Sequence, residues 1–295
     1  MIIGISGKMG SGKDTVAKML QHLKAKDNNS SFNLSFKNCK DDHLSAISGL
    51  KIKKFSDSLK ECVAIILGCT KEQLEDRDFK NRKLGEEWNK YVIYSESVAK
   101  LHPSLEGYMY SQFFSYSECK EYLDNKIISV FPDAIIKKQE LTVRRFMQLL
   151  GSECGRDIIH PSIWVNSLMK EYLPIGTYEY SENYIINYPN KKHKEDIYPT
   201  WIITDARLEN EIDAIKNRGG YMIKVIRKSI EENSNCKGLS ESEKAILQHR
   251  SETDLDKIPN EKFDSVIYLS EDGLDELYVH VNKLYNDKIK CFLTI

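Results

Sequence analysis

Three features of the chain predict an α/β three-layer sandwich, in which a parallel sheet is flanked by helices and carries insertions. A short apolar strand, a glycine-rich turn and a helix open the sequence, MIIGISGKMGSGKDTVAKML. Further apolar strands alternate with amphipathic helices in its last third, as in PTWIITDARLENEIDAIKNRGG, YMIKVIR and SVIYL. The composition, 41% hydrophobic and 29% charged over 295 residues, is that of a globular chain able to bury a sizeable core. Strands separated by helices imply parallel pairing with helices on both faces.

The first strand is the apolar, largely β-branched run from Ile2 to Ile5, and the first helix carries Val16, Leu20 and Leu23 at helical spacing from Lys13 onward. Between them, Gly7-x-x-x-x-Gly12-Lys13 has the spacing and the flanks of a P-loop. In such a loop successive backbone N–H groups curl round an anion, the helix N-terminus adds its positive end, and the lysine reaches the terminal phosphates. The residues expected to bind a nucleoside triphosphate are Gly7, Lys8, Gly10, Ser11, Gly12, Lys13, Asp14 and Thr15. After the lysine the pattern asks for Ser or Thr, whose hydroxyl ligates Mg²⁺, but Asp14 stands there. One residue along a helix is a rotation of roughly 100°, so Thr15 cannot take over. A carboxylate is itself a Mg²⁺ ligand, which makes Asp14 a metal-side residue; an acid favoured by the helix dipole is the simpler alternative.

The remaining elements follow in order. DNNSSFNLSFKNCKDD is polar and irregular, a surface insertion. A short strand ends near Phe55 and a helix begins at Ser56 or Asp57. Residues 85 to 138 show aromatic content and no clear period, and receive no element. Thr142 caps a helix whose Val143, Phe146, Met147 and Leu150 share one face and which Gly151 ends. Arg144, Arg145 and Gln148 fall on the opposite face, a cationic patch that is either a solvated surface or the grip for a second anion. Residues 176 to 199 form a loop or hairpin. A strand from Trp201 to Thr204 ends in Asp205, and the helix carrying Leu208, Ile212 and Ile215 is closed by Gly219 and Gly220. A long polar stretch separates the last two strands and reads as a flap over the nucleotide, or as a solvated connector, with Arg227, Lys228 and Arg250 as its cations. The final helix carries Leu274, Leu277, Val281 and Leu284. The whole chain, 1–295, is expected to be a single P-loop domain. Its core lies near 1–26, 52–68, 200–227 and 263–286, an acceptor-binding helical region covers about 56–175, and the flap covers about 228–262.

Several function classes are disfavoured. A formal net charge of −1 gives no electrostatic case for a nucleic-acid partner. The seven cysteines are scattered without a C-x-x-C pair, which reads as reduced structural thiols. No apolar stretch approaches 18 residues and no signal peptide is expected, so the predicted location is the cytoplasm, with no membrane partner. Asp205 is followed by Ala206 and Arg207 instead of the Glu that activates water in hydrolysing ATPases, and the guanine-reading N-K-x-D is absent. Transfer of a γ-phosphoryl group to a bound acceptor is what remains. If that acceptor is a phosphate monoester, its second pKa lies near about 6, so it is already nucleophilic at neutral pH and needs no base. The enzyme must then hold two repelling anions and neutralise developing charge, a task suited to Lys13, Arg144, Arg145 and Arg207 with Mg²⁺.

Together GxxxxGKDT at the loop, the TVRRxMQxLG helix and the strand-end DxRxxxE segment resemble the deoxynucleoside monophosphate kinases of bacteriophages and some other DNA viruses. The resemblance covers the first 26 residues, roughly 141 to 170 and 200 to 227, and more weakly FSDSLK and the last strand and helix. It includes the Asp after the loop lysine. It implies a nucleoside monophosphate kinase-like fold, with Mg²⁺-ATP as donor and a 2′-deoxynucleotide as acceptor. By position, Lys13 would bind the β- and γ-phosphates. Arg144, Arg145 and Gln148 would lie in the acceptor site, with Lys60 touching the acceptor; separately from the resemblance, Trp164, Tyr108 and Tyr110 are candidates to stack on a base, with core or surface packing as the simpler reading. Asp205 and Arg207 would sit beside the reacting phosphates, with Asp205 and Asp14 on the metal side and Arg227 and Arg250 in the lid. Nucleotides are the expected partners, and a homodimer is permitted. The alternatives are a kinase of another small phosphate monoester, such as phosphomevalonate, and a nucleotide-dependent ATPase stimulated by DNA or a protein.

Overall fold

The computed structural model describes residues 1–32, 34–39, 41–101, 108–181, 192–232, 254–270 and 273–293. Contacts divide the chain into two compact units, Met1–Ser58 with Ile159–Ile295, and Leu59–Ile158, where the sequence reading has one domain.

The first unit is built on a five-stranded parallel sheet. Its strands are β1 (Ile2–Ser6), β2 (Leu50–Lys53), β8 (Thr200–Ile203), β9 (Tyr221–Arg227) and β10 (Ser265–Leu269), in the order β10-β9-β1-β8-β2. β1 is buried along its whole length because helices cover both faces, so its run is apolar without alternation. Neighbouring residues still point to opposite sides. Ile3, Ile202 and Ile223 join one core with Val16 and Leu20 of helix α1 (Lys13–Asn28) and Leu277 and Val281 of the helix Leu274–Leu284. Ile2, Trp201, Ile203 and Met222 join the other with Phe55, Leu168, Ile212 and Ile215. The expected surface insertion contains a short 3-10 turn, Phe36–Asn38, and leads into a helix, Asp41–Ser48, tied to α1 where Asn28 donates to the carbonyls of Ile47 and Ser48 at 3.0 and 3.2 Å. The expected hairpin is present as β6 (Gly176–Ser181) and β7 (Lys192–Ile197), antiparallel. After β9 comes a helix, Lys228–Glu232, while Arg250 and most of the expected flap lie outside the described residues. The end of that flap is packed into the core: Leu255, Ile258 and Phe263 belong to the second cluster above.

The second unit contains the stretch that has no sequence assignment. β3 (Lys90–Tyr94) pairs antiparallel with β4 (Tyr108–Phe113) and β5 (Ile135–Gln139) in the order β4-β3-β5, so this unit is not purely helical. Ile93 packs there with Cys119, Leu123, Ile127 and Ala134. A separate cluster joins Val63 and Leu59 of the helix Asp57–Leu67 to Val143, Phe146, Met147 and Leu150. The expected stop at Gly151 does not occur, because the helix Val143–Gln148 continues in a wider π-type coil from Leu149 to Ile159. Gly151 lies against the end of the Leu59 side chain: a Cβ there would stand 2.7 Å from Leu59 Cδ2, which would have to turn aside.

Candidate active site

The chain leaves β1 toward β2 on one side of the sheet and leaves the neighbouring β9 toward β10 on the other, which opens a crevice beyond the carboxyl ends of these two strands. The glycine loop occupies that position. Gly12 precedes α1 in the left-handed conformation, φ 95° and ψ 15°, with no side-chain cap, which leaves the first N–H groups of the helix to an anion. Gly7, at φ 154°, is the closest approach: a Cβ would meet the Val225 carbonyl and Ser11 Oγ, each at 2.5 Å. Lys13 is 7% exposed, and its ammonium donates to the carbonyls of Gly7 at 2.6 Å and Lys8 at 2.7 Å. It is thereby folded back over the loop. Lys8 itself reaches Asp256 at 3.1 Å. Arg227, at the end of β9, brings a guanidinium nitrogen 3.5 Å from where a Cβ on Gly12 would stand, and Ile230 approaches Gly10 in the same way at 3.2 Å.

Strands β8 and β2 supply the other wall. Thr204 Oγ1 donates to Asp14 Oδ1 at 2.8 Å, and Lys54 Nζ lies 3.4 Å from the same oxygen. Burial alone would raise the Asp14 carboxyl, but Lys54, the Thr204 hydroxyl and Lys13 outweigh it and hold the group below the ordinary carboxylate value. Asp205 accepts the backbone N–H groups of Phe55 at 2.7 Å and Ser56 at 3.0 Å, one on each oxygen. Each oxygen keeps a second lone pair. The buried Glu211 accepts the N–H groups of Arg207 at 2.8 Å and Leu208 at 3.1 Å, which fixes the backbone that carries the Arg207 side chain.

In the second unit, Thr142 caps the helix as expected by accepting the N–H of Arg145 at 3.2 Å. Arg144 Nε donates to Asn81 Oδ1 at 3.1 Å, and Arg145 pairs with Glu153 at 2.7 Å. Gln148 is half-buried one turn beyond Arg144. Lys60 is buried and pairs with Glu75 at 2.5 Å. Trp164, by contrast, belongs to the first unit and is 6% exposed.

A family model described as deoxynucleotide monophosphate kinase matches residues 1–248. The chain belongs to that family. A deoxynucleoside-5′-monophosphate kinase of Escherichia phage T5 is 24% identical over 173 residues, which is 56% of this chain and 60% of the phage protein. The deoxynucleotide monophosphate kinase match takes in the whole second unit and the first unit up to residue 248, with the P-loop and the Arg144–Arg145 helix.

Whether a member of this family can hold Mg²⁺ here is tested by the donor set. Mg²⁺ is held by one or two carboxylates together with substrate phosphates, instead of by an all-protein cage. The loop offers one exposed, ionised carboxylate at Asp14, and the buried hydroxyls of Ser6 and Ser11 have no hydrogen-bond partner among the described residues. Hard oxygen donors beside a phosphate cradle fit the ion. Thr204 and Lys54 are the site residues that sequence reasoning missed. Their signal was indirect: a carboxylate in a hydroxyl's place needs its own donors, and Thr204 adjoins the singled-out Asp205. Among the described residues no helix is long and apolar enough to cross a membrane.

Proposed function

We propose that the chain transfers the γ-phosphoryl group of Mg²⁺-ATP to the phosphate of a deoxynucleoside 5′-monophosphate, giving the diphosphate. The observation that carries the reading is the P-loop of a family member with Lys13 drawn over its carbonyls and Asp14 in the hydroxyl's place. The loop N–H groups and Lys13 bind the donor's β- and γ-phosphates, and Arg227 adds charge beside Gly12. Mg²⁺, when bound on the Asp14 side, neutralises charge between those phosphates. Lys60, Arg144, Arg145 and Gln148 hold the acceptor, whose dianionic phosphate is the nucleophile, so no side chain has to remove a proton. Trp164 supports the acceptor side, and Arg207, with its backbone pinned by Glu211, stabilises the charge that spreads over the moving phosphoryl group. Asp205 completes the metal side while tying Phe55 and Ser56. The protein acts in a cytoplasm on free nucleotides, with no nucleic-acid partner.

Purified protein with Mg²⁺-ATP and a panel of dTMP, dGMP, dCMP, dAMP and phosphomevalonate should release ADP with at least one deoxynucleotide. Turnover with phosphomevalonate alone sinks the reading, and so does hydrolysis without an acceptor that DNA stimulates. Arg144→Ala and Arg145→Ala should each raise KM for the nucleotide acceptor by about one to two orders of magnitude, the value of a lost charge-assisted hydrogen bond. KM for ATP should stay within about twofold of wild type. Wild-type acceptor kinetics in both variants would remove the acceptor grip from this helix.

A further inference from the structure

The hydroxyl that this P-loop lacks is supplied from another strand. Asp14 projects from the first turn of α1, where a side chain can turn among staggered rotamers, and it is 61% exposed. Thr204 is its opposite: 1% exposed, placed one residue beyond β8, and therefore fixed by the pairing of β8 with both β1 and β2. Its hydroxyl donates to Asp14 Oδ1 at 2.8 Å and so converts a mobile carboxylate into an oriented one, with Oδ2 outside that bond. Lys54 meets the same oxygen at 3.4 Å, a longer contact that acts on Asp14 first through its charge. We propose that Thr204 is the positioning residue of the metal side, holding the Asp14 carboxylate in the orientation in which it serves Mg²⁺-nucleotide. The inference rests on the kinase reading above. It adds that strand end and helix share the role one Ser or Thr fills in other P-loops. Partners that orient a metal ligand from behind are worth about 10–100-fold in metal affinity.

The test measures the affinity of a fluorescent ATP analogue in EDTA and in saturating Mg²⁺, and takes the ratio as the metal increment. Thr204→Val, which keeps the shape and removes the donor, should reduce the increment by about tenfold. Thr204→Ser should restore it, Lys54→Met should not reproduce the loss, and in an Asp14→Asn background Thr204→Val should have no further effect. Thr204→Ala gives the same reading if valine overpacks the site. A full increment in both donorless variants overturns the proposal. Affinity lost equally in EDTA overturns it too, since Thr204 would then support the whole loop. No increment in the unaltered protein removes the metal from the Asp14 side altogether, a failure of the underlying reading that is visible before any variant is made.

Discussion

Lys13→Ala is expected to lower kcat for phosphoryl transfer by about 10²–10³-fold or more, the range for removing one preorganised donor aimed at developing charge. The expectation follows from where the ammonium sits. At 7% exposure it is largely out of water, bonded at 2.6 and 2.7 Å to carbonyls of the loop that would cradle the phosphates. A charge held there needs little reorganisation when negative charge moves along the phosphate chain, and a buried charge acts at a low effective dielectric. Alanine removes the charge and strands the carbonyls of Gly7 and Lys8. Lys13→Arg should recover little, because a planar guanidinium is bulkier than a point ammonium, differs in reach and spreads its charge over a fork. Steady-state kinetics with ATP varied at saturating acceptor separates the effects: a fall in kcat marks transition-state stabilisation, and a rise in KM alone marks simple binding. Activity within about twofold of wild type would mean that the loop is not the donor site.

The parts of this protein that the sequence exposes are those whose cause is local. β1 is legible because both its faces are covered, which forces an unbroken apolar run, and the loop is legible because close approach demands glycine at Gly7. Thr142 is likewise read correctly as a cap, since its bond to the Arg145 N–H spans three residues. Elsewhere the cause is distant. Asp14 and Thr204 stand 190 positions apart, and Asp205 finds Phe55 150 positions away, so neither bond leaves a trace in any window. The antiparallel strands fail for another reason. β5 reads IIKKQ with no buried position, and the register of β3 against β4 shifts twice, so the period of two that marks a half-buried strand is blurred. Gly151 shows a local rule overridden: glycine often ends a helix, but here the helix runs on through it in a wider coil.

Gly7→Ala should be among the most damaging single methyls that can be added to the phosphate loop. At φ 154° an L side chain is strained by about 1–3 kcal/mol. The new Cβ would stand 2.5 Å from two atoms, which differ in their freedom to move. Ser11 Oγ can turn away with its rotamer. The Val225 carbonyl cannot, because β9 is paired on one side with β1 and on the other with β10. Either β1 shifts, and with it the register Ile3↔Tyr221 to Ser6↔Lys224, or the loop leaves its cradle. Overpacking of this kind costs about 1–3 kcal/mol, so the sum is a large share of a native stability of about 5–15 kcal/mol. The melting midpoint should fall on the order of 10 °C, and nucleotide affinity should fall with it. Gly49→Ala is the control: its φ is 71° and a Cβ there would meet nothing within 4 Å, so only backbone strain remains and the midpoint should drop by about 2–4 °C. Equal melting of the two variants would show that the Val225 carbonyl yields, and that the tight fit beneath the loop is not what holds the phosphate cradle in shape.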